Sequence, residues 1–323
     1  MIVAFMDLLG FSSLLETNIE VAVDNMYSFN NGIKTRIYDM ISHPLDEYKK
    51  NFPNDVDLHQ FVEKSSGTAF EQVISFSDSL VLGGTNCNMF IKQLTNFIAT
   101  IYIEYSIPFV HTFSDINSVI THRAATGRRD GGLSYHNAFP ILLRGGVSVG
   151  DNVDFYDGYY IKNSELKQSS LNVMGLTYLN AVKLEGAGKG PRLFCDKTVV
   201  DAVDDKVKKS IKMVDEKRKI YEIVWTIEGC EATGRCSTNK WFNVCDRINE
   251  KMLLPAINLY KYYKNDKMLE QHYKELLQLV CEGIIKYAND ECNRADEAID
   301  LINGVLKKDQ LPLINSSVLK DFL

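Results

Sequence analysis

The sequence predicts an α+β fold that runs on into a mostly helical C-terminal extension. Three observations predict it. Residues 2–6 are an apolar run that reads as a buried strand. Residues 70–84 form two β-rich halves around Ser77-Asp78 and end in Gly83-Gly84, a hairpin pattern. From Met89 to Ile107 apolar residues recur at helical spacing, with Phe90, Leu94, Phe97, Ile98 and Ile101 on one side, as in a helix that covers a sheet face.

The elements follow in order. After the first strand, Gly10 marks a turn and the chain reads as helix to Met26. Residues 27–42 continue that pattern, with Met26, Ile33, Ile37 and Ile41 near multiples of the helical repeat. The polar stretch 43–69, with Pro44, Pro53 and Ser65-Ser66-Gly67, reads as a loop holding at most one helical turn. Residues 108–139 contain His111, His122, Arg123, Arg128, Arg129 and His136 among Gly127, Gly131 and Gly132. They read as an insertion: a basic lid, or a surface loop whose arginines pair with nearby acids. A strand at 141–149, an irregular hairpin at 151–170 with Tyr156, Tyr159 and Tyr160, a helix at 175–186 and a strand at 191–196 complete the core. Tyr221 to Trp225 suits an edge strand. Residues 240–305 are largely helical, with Leu269, Tyr273, Leu276, Leu277, Val280, Ile284 and Ile285 on one long element, and Pro255 starting or bending a helix. The expected division is 1–200 for the core and 201–323 for the extension.

Composition narrows the function classes. Hydrophobic content of 45% and charged content of 24% are those of a soluble globular chain. A net charge of −6 argues against a general nucleic-acid surface, which is normally basic, but leaves room for a local basic pocket. No apolar run reaches membrane-spanning length, and the first residues lack the basic start and cleavage site of a signal peptide. Seven irregularly spaced cysteines fit reduced thiols. The expectation is a cytoplasmic protein without membrane or nucleic-acid partners.

Chemistry concentrates where two aspartates end apolar strands: Asp7 in Ile2-Val3-Ala4-Phe5-Met6-Asp7-Leu8-Leu9-Gly10-Phe11-Ser12, and Asp78 in Val73-Ile74-Ser75-Phe76-Ser77-Asp78-Ser79-Leu80. A carboxylate there costs solvation unless it is paired or holds a cation. Two that converge suit a hard divalent metal completed by water and phosphate oxygens; otherwise one caps a helix and the other makes a turn. Two further segments follow: Leu142-Leu143-Arg144-Gly145-Gly146-Val147-Ser148-Val149-Gly150, and Gly175-Leu176-Thr177-Tyr178-Leu179-Asn180-Ala181-Val182-Lys183-Leu184-Glu185.

In these segments and their order, residues 1–200 resemble the class III nucleotide cyclase catalytic domain. That resemblance implies a ferredoxin-like core, a mostly antiparallel sheet with helices on one face. It implies attack of a ribose 3′-hydroxyl on the α-phosphate of a nucleoside triphosphate, with two divalent ions, Mn²⁺ or Mg²⁺. By position, Asp7, Asp78 and the Leu8 carbonyl correspond to metal ligands, and the amides of Leu9, Gly10 and Phe11 to phosphate donors. Gly10 would allow the phosphate a close approach, and Arg144 corresponds to the arginine that grips phosphate oxygens. The family's active unit is a homodimer with shared sites.

The chain departs from the purine cyclases at two places. Where their later helix carries Asn and Arg, this chain has Leu179 and Lys183. Lys183 either neutralises transition-state charge without the bidentate geometry of arginine or is a solvated helix lysine. Where adenylate cyclases place a base-reading lysine, this chain has Ile74. Similar departures occur in the pyrimidine cyclases of the Pycsar antiphage systems, so the resemblance implies UTP first and CTP next, with Ser75, Ser77, Ser79 and Tyr38 as candidate base readers. A non-catalytic nucleotide sensor is the reading from another class.

The remaining signals are weaker. Gly186-Ala187-Gly188-Lys189-Gly190 lacks phosphate-loop spacing and reads as a flexible connection. Cys230, Cys236 and Cys245 lack the short pair of a zinc site. His43, His59, His122 and His272 are scattered and read as surface or packing residues.

Overall fold

The computed structural model describes residues 1–38, 49–106, 123–127, 133–137, 140–162, 165–234 and 245–312. Strands β1 (Ile2–Leu8), β2 (Gln72–Phe76), β3 (Ser79–Gly84) and β6 (Leu143–Val149) lie in the order β6-β1-β3-β2, all antiparallel. Between β1 and β2 come α1 (Phe11–Thr17), α2 (Ile19–Ile33) and α3 (Val56–Ser65). Between β3 and β6 come α4 (Cys87–Ser106) and a ribbon of β4 (Arg123–Gly127) with β5 (Leu133–Asn137), which falls in the expected insertion. A β-α-β-β-α-β chain path with this strand order is the ferredoxin-like arrangement. The fold is therefore the predicted α+β class.

Beyond β6 the chain forms the hairpin β7 (Asp154–Lys162) and β8 (Glu165–Met174), then α5 (Leu176–Glu185) and β9 (Leu193–Asp196), which pairs parallel to β6. Two short helices, α6 (Lys197–Ala202) and α7 (Asp205–Lys208), lead to β10 (Ile211–Asp215) and β11 (Ile220–Ile223). The second of these pairs with β9, so the sheet grows to seven strands, and its edge is β10 rather than the segment around Tyr221.

Alternation along β1 assigns two faces. Ile2, Ala4, Met6 and Leu8 enter the main core with Phe29 of α2 and with Phe90, Leu94, Ile98 and Ile101 of α4. Val3 and Phe5 enter a smaller core with Ile74, Val81, Ala181 and Tyr178, beneath α5 and the β7–β8 hairpin.

Local chemistry explains several element ends. The predicted helix after Gly10 breaks at Asn18, whose side chain accepts from the Val21 amide and starts α2. After Ile33 the last turn widens into a π-turn, Lys34–Tyr38. The polar stretch 43–69 holds more helix than expected: Asp55 caps α3 by accepting from the Leu58 amide, a start signal masked by a polar composition.

The C-terminal helices comprise α8 (Thr226–Gly234), α9 (Cys245–Ile248), a π-turn (Asn249–Leu253), α10 (Leu254–Tyr263), α11 (Glu270–Cys292) and α12 (Ala295–Lys308). Pro255 is the second residue of α10, directly after the π-turn in a helical run that begins at Cys245, and its missing N–H interrupts the helical ladder where that turn widens. These helices share the main core with the sheet. The Tyr102 hydroxyl donates to the Met252 carbonyl at 2.8 Å, the Trp225 indole N–H to the Pro191 carbonyl at 2.8 Å, and the Thr226 hydroxyl to the Leu279 carbonyl at 2.8 Å. Among the described residues no helix is long and apolar enough to cross a membrane.

Helix and sheet approach closely at Gly146 of β6. A Cβ there would lie 2.0 Å from the Ala181 carbonyl oxygen and 2.7 Å from the Glu185 nitrogen, both backbone atoms of α5. Gly146→Ala must lift α5 from the sheet and is expected to lower stability by about 1–3 kcal/mol, as overpacking does. Urea unfolding measures it; a loss inside experimental error would show that α5 is not seated this tightly.

Candidate active site

β1 has a neighbour on each side, and near its end Asp7 stands in register with Arg144 of β6 and Ser79 of β3. The three residues make a row across the sheet, on the face covered by α5. Arg144 donates from Nε and Nη2 to Asp7 Oδ2 at 3.2 and 3.0 Å, and the Ser79 hydroxyl donates to Asp7 Oδ1 at 3.3 Å. Glu185, the last residue of α5, forms an ion pair with Arg144 Nε from above the sheet. The contact at Gly146 is what lets the helix end come this low.

Asp78 sits in the two-residue turn between β2 and β3. Ser77 takes the positive φ of that turn, 52°, which costs a non-glycine residue some strain. The Asp78 carbonyl accepts from the Leu8 amide at 3.0 Å, so one backbone bond joins the two chain ends that carry the aspartates.

Burial dominates the electrostatics. It pushes the Asp7 carboxyl above its usual range; Arg144 pulls it down, and the charge of Asp78 pushes it up again. Glu185 is likewise raised, first by burial, against the pull of Arg144 and with a further push from Asp7. Three carboxylates (Asp7, Asp78, Glu185) against one guanidinium (Arg144) leave two formal negative charges. A set of carboxylate oxygens with excess negative charge fits a hard divalent cation, which binds through one or two carboxylates and fills its shell with water and phosphate oxygens. Among the described residues no three His, Cys, Asp or Glu side chains converge as a complete metal cage.

The other expected residues are placed as follows. The Leu8 side chain enters the main core and the Leu9 amide donates to the Leu142 carbonyl at 2.8 Å, so that amide is engaged within the chain. Gly10 has φ 80°, and a Cβ at this position would meet no atom within 4 Å. Its glycine therefore answers a left-handed backbone, not a close approach within the chain. The Phe11 ring is buried in the main core, and α1 behind it has only seven residues.

Ser77 is exposed at the turn and Ser79 faces Asp7, but Ser75 is in register with Leu80, whose partner Met6 lies in the main core. It therefore points to the face opposite Asp7. The Tyr38 side chain lies outside the described residues, as do His43, His111, His122, Arg128, Arg129 and Cys236. Ile74 is 3% exposed and packs in the smaller core, which accounts for its apolar character without reference to a base. Lys183 does not join the row. It is exposed on the face of α5 that also shows Leu176 and Leu179.

Sequence reasoning missed Glu185 as a member of the site. Its signal was available: Thr177, Ala181 and Glu185 recur every four residues, and the first two are buried, so the third also faces the sheet. The loop at 186–190 is held as well. Its Gly190 amide donates to His272 Nδ1 at 3.0 Å, and the His272 imidazole is shifted down by burial and by the charges of Lys189 and Arg144.

No family model matches the chain, and no curated protein matches it. Solved structures similar to it include the guanylyl cyclase Cya2, with 16% identity over 69% of this chain and 90% of that one and a TM-score of 0.38. The guanylate cyclase domain of RhGC from Catenaria anguillulae in complex with GTP has 13% identity over 69% and 94%, with a TM-score of 0.36. The adenylyl cyclase CyaB from P. aeruginosa has 12% identity over 69% and 92%, with a TM-score of 0.34. Likeness at this level carries no functional weight, which rests instead on the residues of the site.

The raised Asp7 carboxyl has a measurable consequence. The native state holds this proton more tightly than the unfolded chain, so stability falls as pH rises from 3.8, the ordinary value, through the native value, and levels off above it. Asp7→Asn has no such proton. Without metal, the stability of the variant relative to wild type is expected to improve across that window in urea unfolding from roughly pH 3.5 to 7. A constant difference would mean that Asp7 is not held in a desolvated place.

Proposed function

We propose that the chain is a nucleotide cyclase of the class III type that acts on a nucleoside triphosphate, with UTP favoured, and makes 3′,5′-cyclic UMP as a second messenger in antiphage defence. The observation that carries the reading is the row Arg144–Asp7–Ser79, with Asp78 joined to it by the Leu8 amide. It sets the Asp7 carboxylate against the Arg144 guanidinium at one sheet end, with the charge of Asp78 near enough to act on Asp7, where a phosphate–metal unit can be gripped. In the reaction the ribose 3′-oxygen forms a bond to the α-phosphorus and loses its proton to solvent, while the bond from the α-phosphorus to the bridging oxygen breaks and pyrophosphate leaves.

Asp7 and Asp78 are the residues to hold divalent metal, with the Leu8 carbonyl as a further ligand. Bound metal lowers the pKa of the attacking hydroxyl and neutralises phosphate charge. Arg144 supplies a planar, always-charged fork for phosphate oxygens. Lys183 stands away from this row, so its part in the chemistry requires a second copy of the chain. Met174, Leu176 and Leu179 are 55%, 60% and 43% exposed beside it, an apolar surface that supports a homodimer with shared sites. The pyrimidine preference rests on the sequence departures at Leu179 and Lys183 and on the presence of Ser77 and Ser79 near Asp78, since the packing of Ile74 already explains that position. A second reading, a nucleotide sensor without turnover, is favoured by the engaged Leu9 amide and the outward Lys183.

Incubation of the purified chain with the four labelled triphosphates and Mn²⁺, followed by separation of cyclic products, tests both readings. Cyclic UMP is expected first and cyclic CMP next; a preference for ATP or GTP would overturn the pyrimidine assignment, and nucleotide binding without product would favour the sensor.

Asp7→Asn and Asp78→Asn are each expected to abolish cyclisation and leave the fold and the dimer intact. Arg144→Ala should reduce turnover by about 10² or more. Near-wild-type turnover in either aspartate variant at saturating Mn²⁺ would remove that residue from the metal site.

A further inference from the structure

We propose that Glu185 is a positioning residue that gives Arg144 a second seat, so that the guanidinium can leave Asp7 when a divalent cation takes the Asp7 oxygens. The proposal rests on the reading of Asp7 as a cation ligand.

Both Arg144 hydrogen bonds to Asp7 end on one oxygen, Oδ2, while Oδ1 accepts from Ser79. As long as Arg144 stays, the oxygen facing it is occupied by a cation already. A divalent ion and a guanidinium sharing that oxygen would repel each other in a half-buried place, where water screens them only in part. Arg144 therefore has to withdraw, and a guanidinium withdrawing into a half-buried site needs a carboxylate to meet it.

Glu185 meets that need. It already touches Arg144 Nε, its side chain is only 13% exposed, and it comes from a different element, α5, fixed in height by the contact at Gly146. The fork of arginine has donors enough to serve two carboxylates in turn. Asp7 and Glu185 thus compete for one guanidinium, and the balance between them sets how open Asp7 is to metal. Arg144 kept on Glu185 also remains close to Asp7, placed to meet phosphate oxygens that arrive with the metal.

The test is a double-mutant cycle read on Mn²⁺ alone, with the full chain and no nucleotide, by the electron paramagnetic resonance signal of free Mn²⁺. Binding by wild type is expected to be lost in Asp7→Asn. Glu185→Gln should weaken it roughly tenfold, because Arg144 then returns to Asp7. In an Arg144→Gln background the same Glu185 change should matter little, less than about twofold, since no guanidinium is left to seat. A merely electrostatic part for Glu185, as one more negative charge, would weaken Mn²⁺ equally in both backgrounds and would overturn the proposal. Near-UV circular dichroism checks each fold, and Glu185→Asp, which keeps the charge on a shorter arm, replaces Glu185→Gln if that variant does not fold; a smaller loss, again confined to the Arg144 background, is then expected. Mn²⁺ binding that depends on Asp7 but ignores both Glu185 variants would sink this inference and leave the cation reading standing. Mn²⁺ binding that ignores Asp7 would sink both.

Discussion

A carboxylate near the end of a strand with neighbours on both sides is the constraint around which this molecule is arranged. Asp7 cannot turn to solvent without breaking the alternation that sends Ile2, Ala4, Met6 and Leu8 into the main core. It is therefore fixed on the opposite face and must be neutralised there. Arg144 does so from the neighbouring strand and is shared with Glu185, which leaves the site with excess negative charge. Gly146 follows from the same requirement, because any side chain there would hold α5 too high for Glu185 to arrive.

The arrangement is costly as stability and useful as chemistry. Charged groups half out of water have interactions stronger than they would have at the surface, but each is retained only while its partner stays. Burial already outweighs Arg144 at the Asp7 carboxyl. A site in this condition holds its groups ready for new charge, whether metal or phosphate, and gains most when that charge arrives. Preorganised charge of this kind is the usual source of catalytic power in phosphoryl transfer.

Much of the fold was legible because hydrophobic periodicity reports local structure directly: β1, the β2–β3 hairpin, α4 and α11 lie where the patterns place them. The cap at Asp55 and the break at Asn18 were not read, since each turns on one side-chain hydrogen bond within polar surroundings. Within the site, the two strand-end aspartates and Arg144 stood out by residue type. Their meeting did not, because it depends on register between strands that are far apart in sequence. Ser75 shows the same limit from the other side: one step along a strand reverses the face, and residue type alone does not reveal which face is which. Ile74 likewise has an ordinary packing explanation that only its neighbours make visible.

The fully buried Glu222 of β11 ties the C-terminal helices to the sheet through charge. Its carboxylate is held by Arg192 and Lys212, and those two cations are held in turn by Glu275 and Glu282 of α11. Both of these acids come later in the chain than the three groups they join. Of these five groups, the two cations outnumber Glu222 by one charge without α11, and the three acids outnumber the cations by one with it, so α11 reverses the formal charge of the cluster and gives Arg192, whose carbonyl accepts from the Gly145 amide next to Arg144, its second acid. Through Arg192, α11 is thus one ion pair and one backbone hydrogen bond away from the strand that carries Arg144.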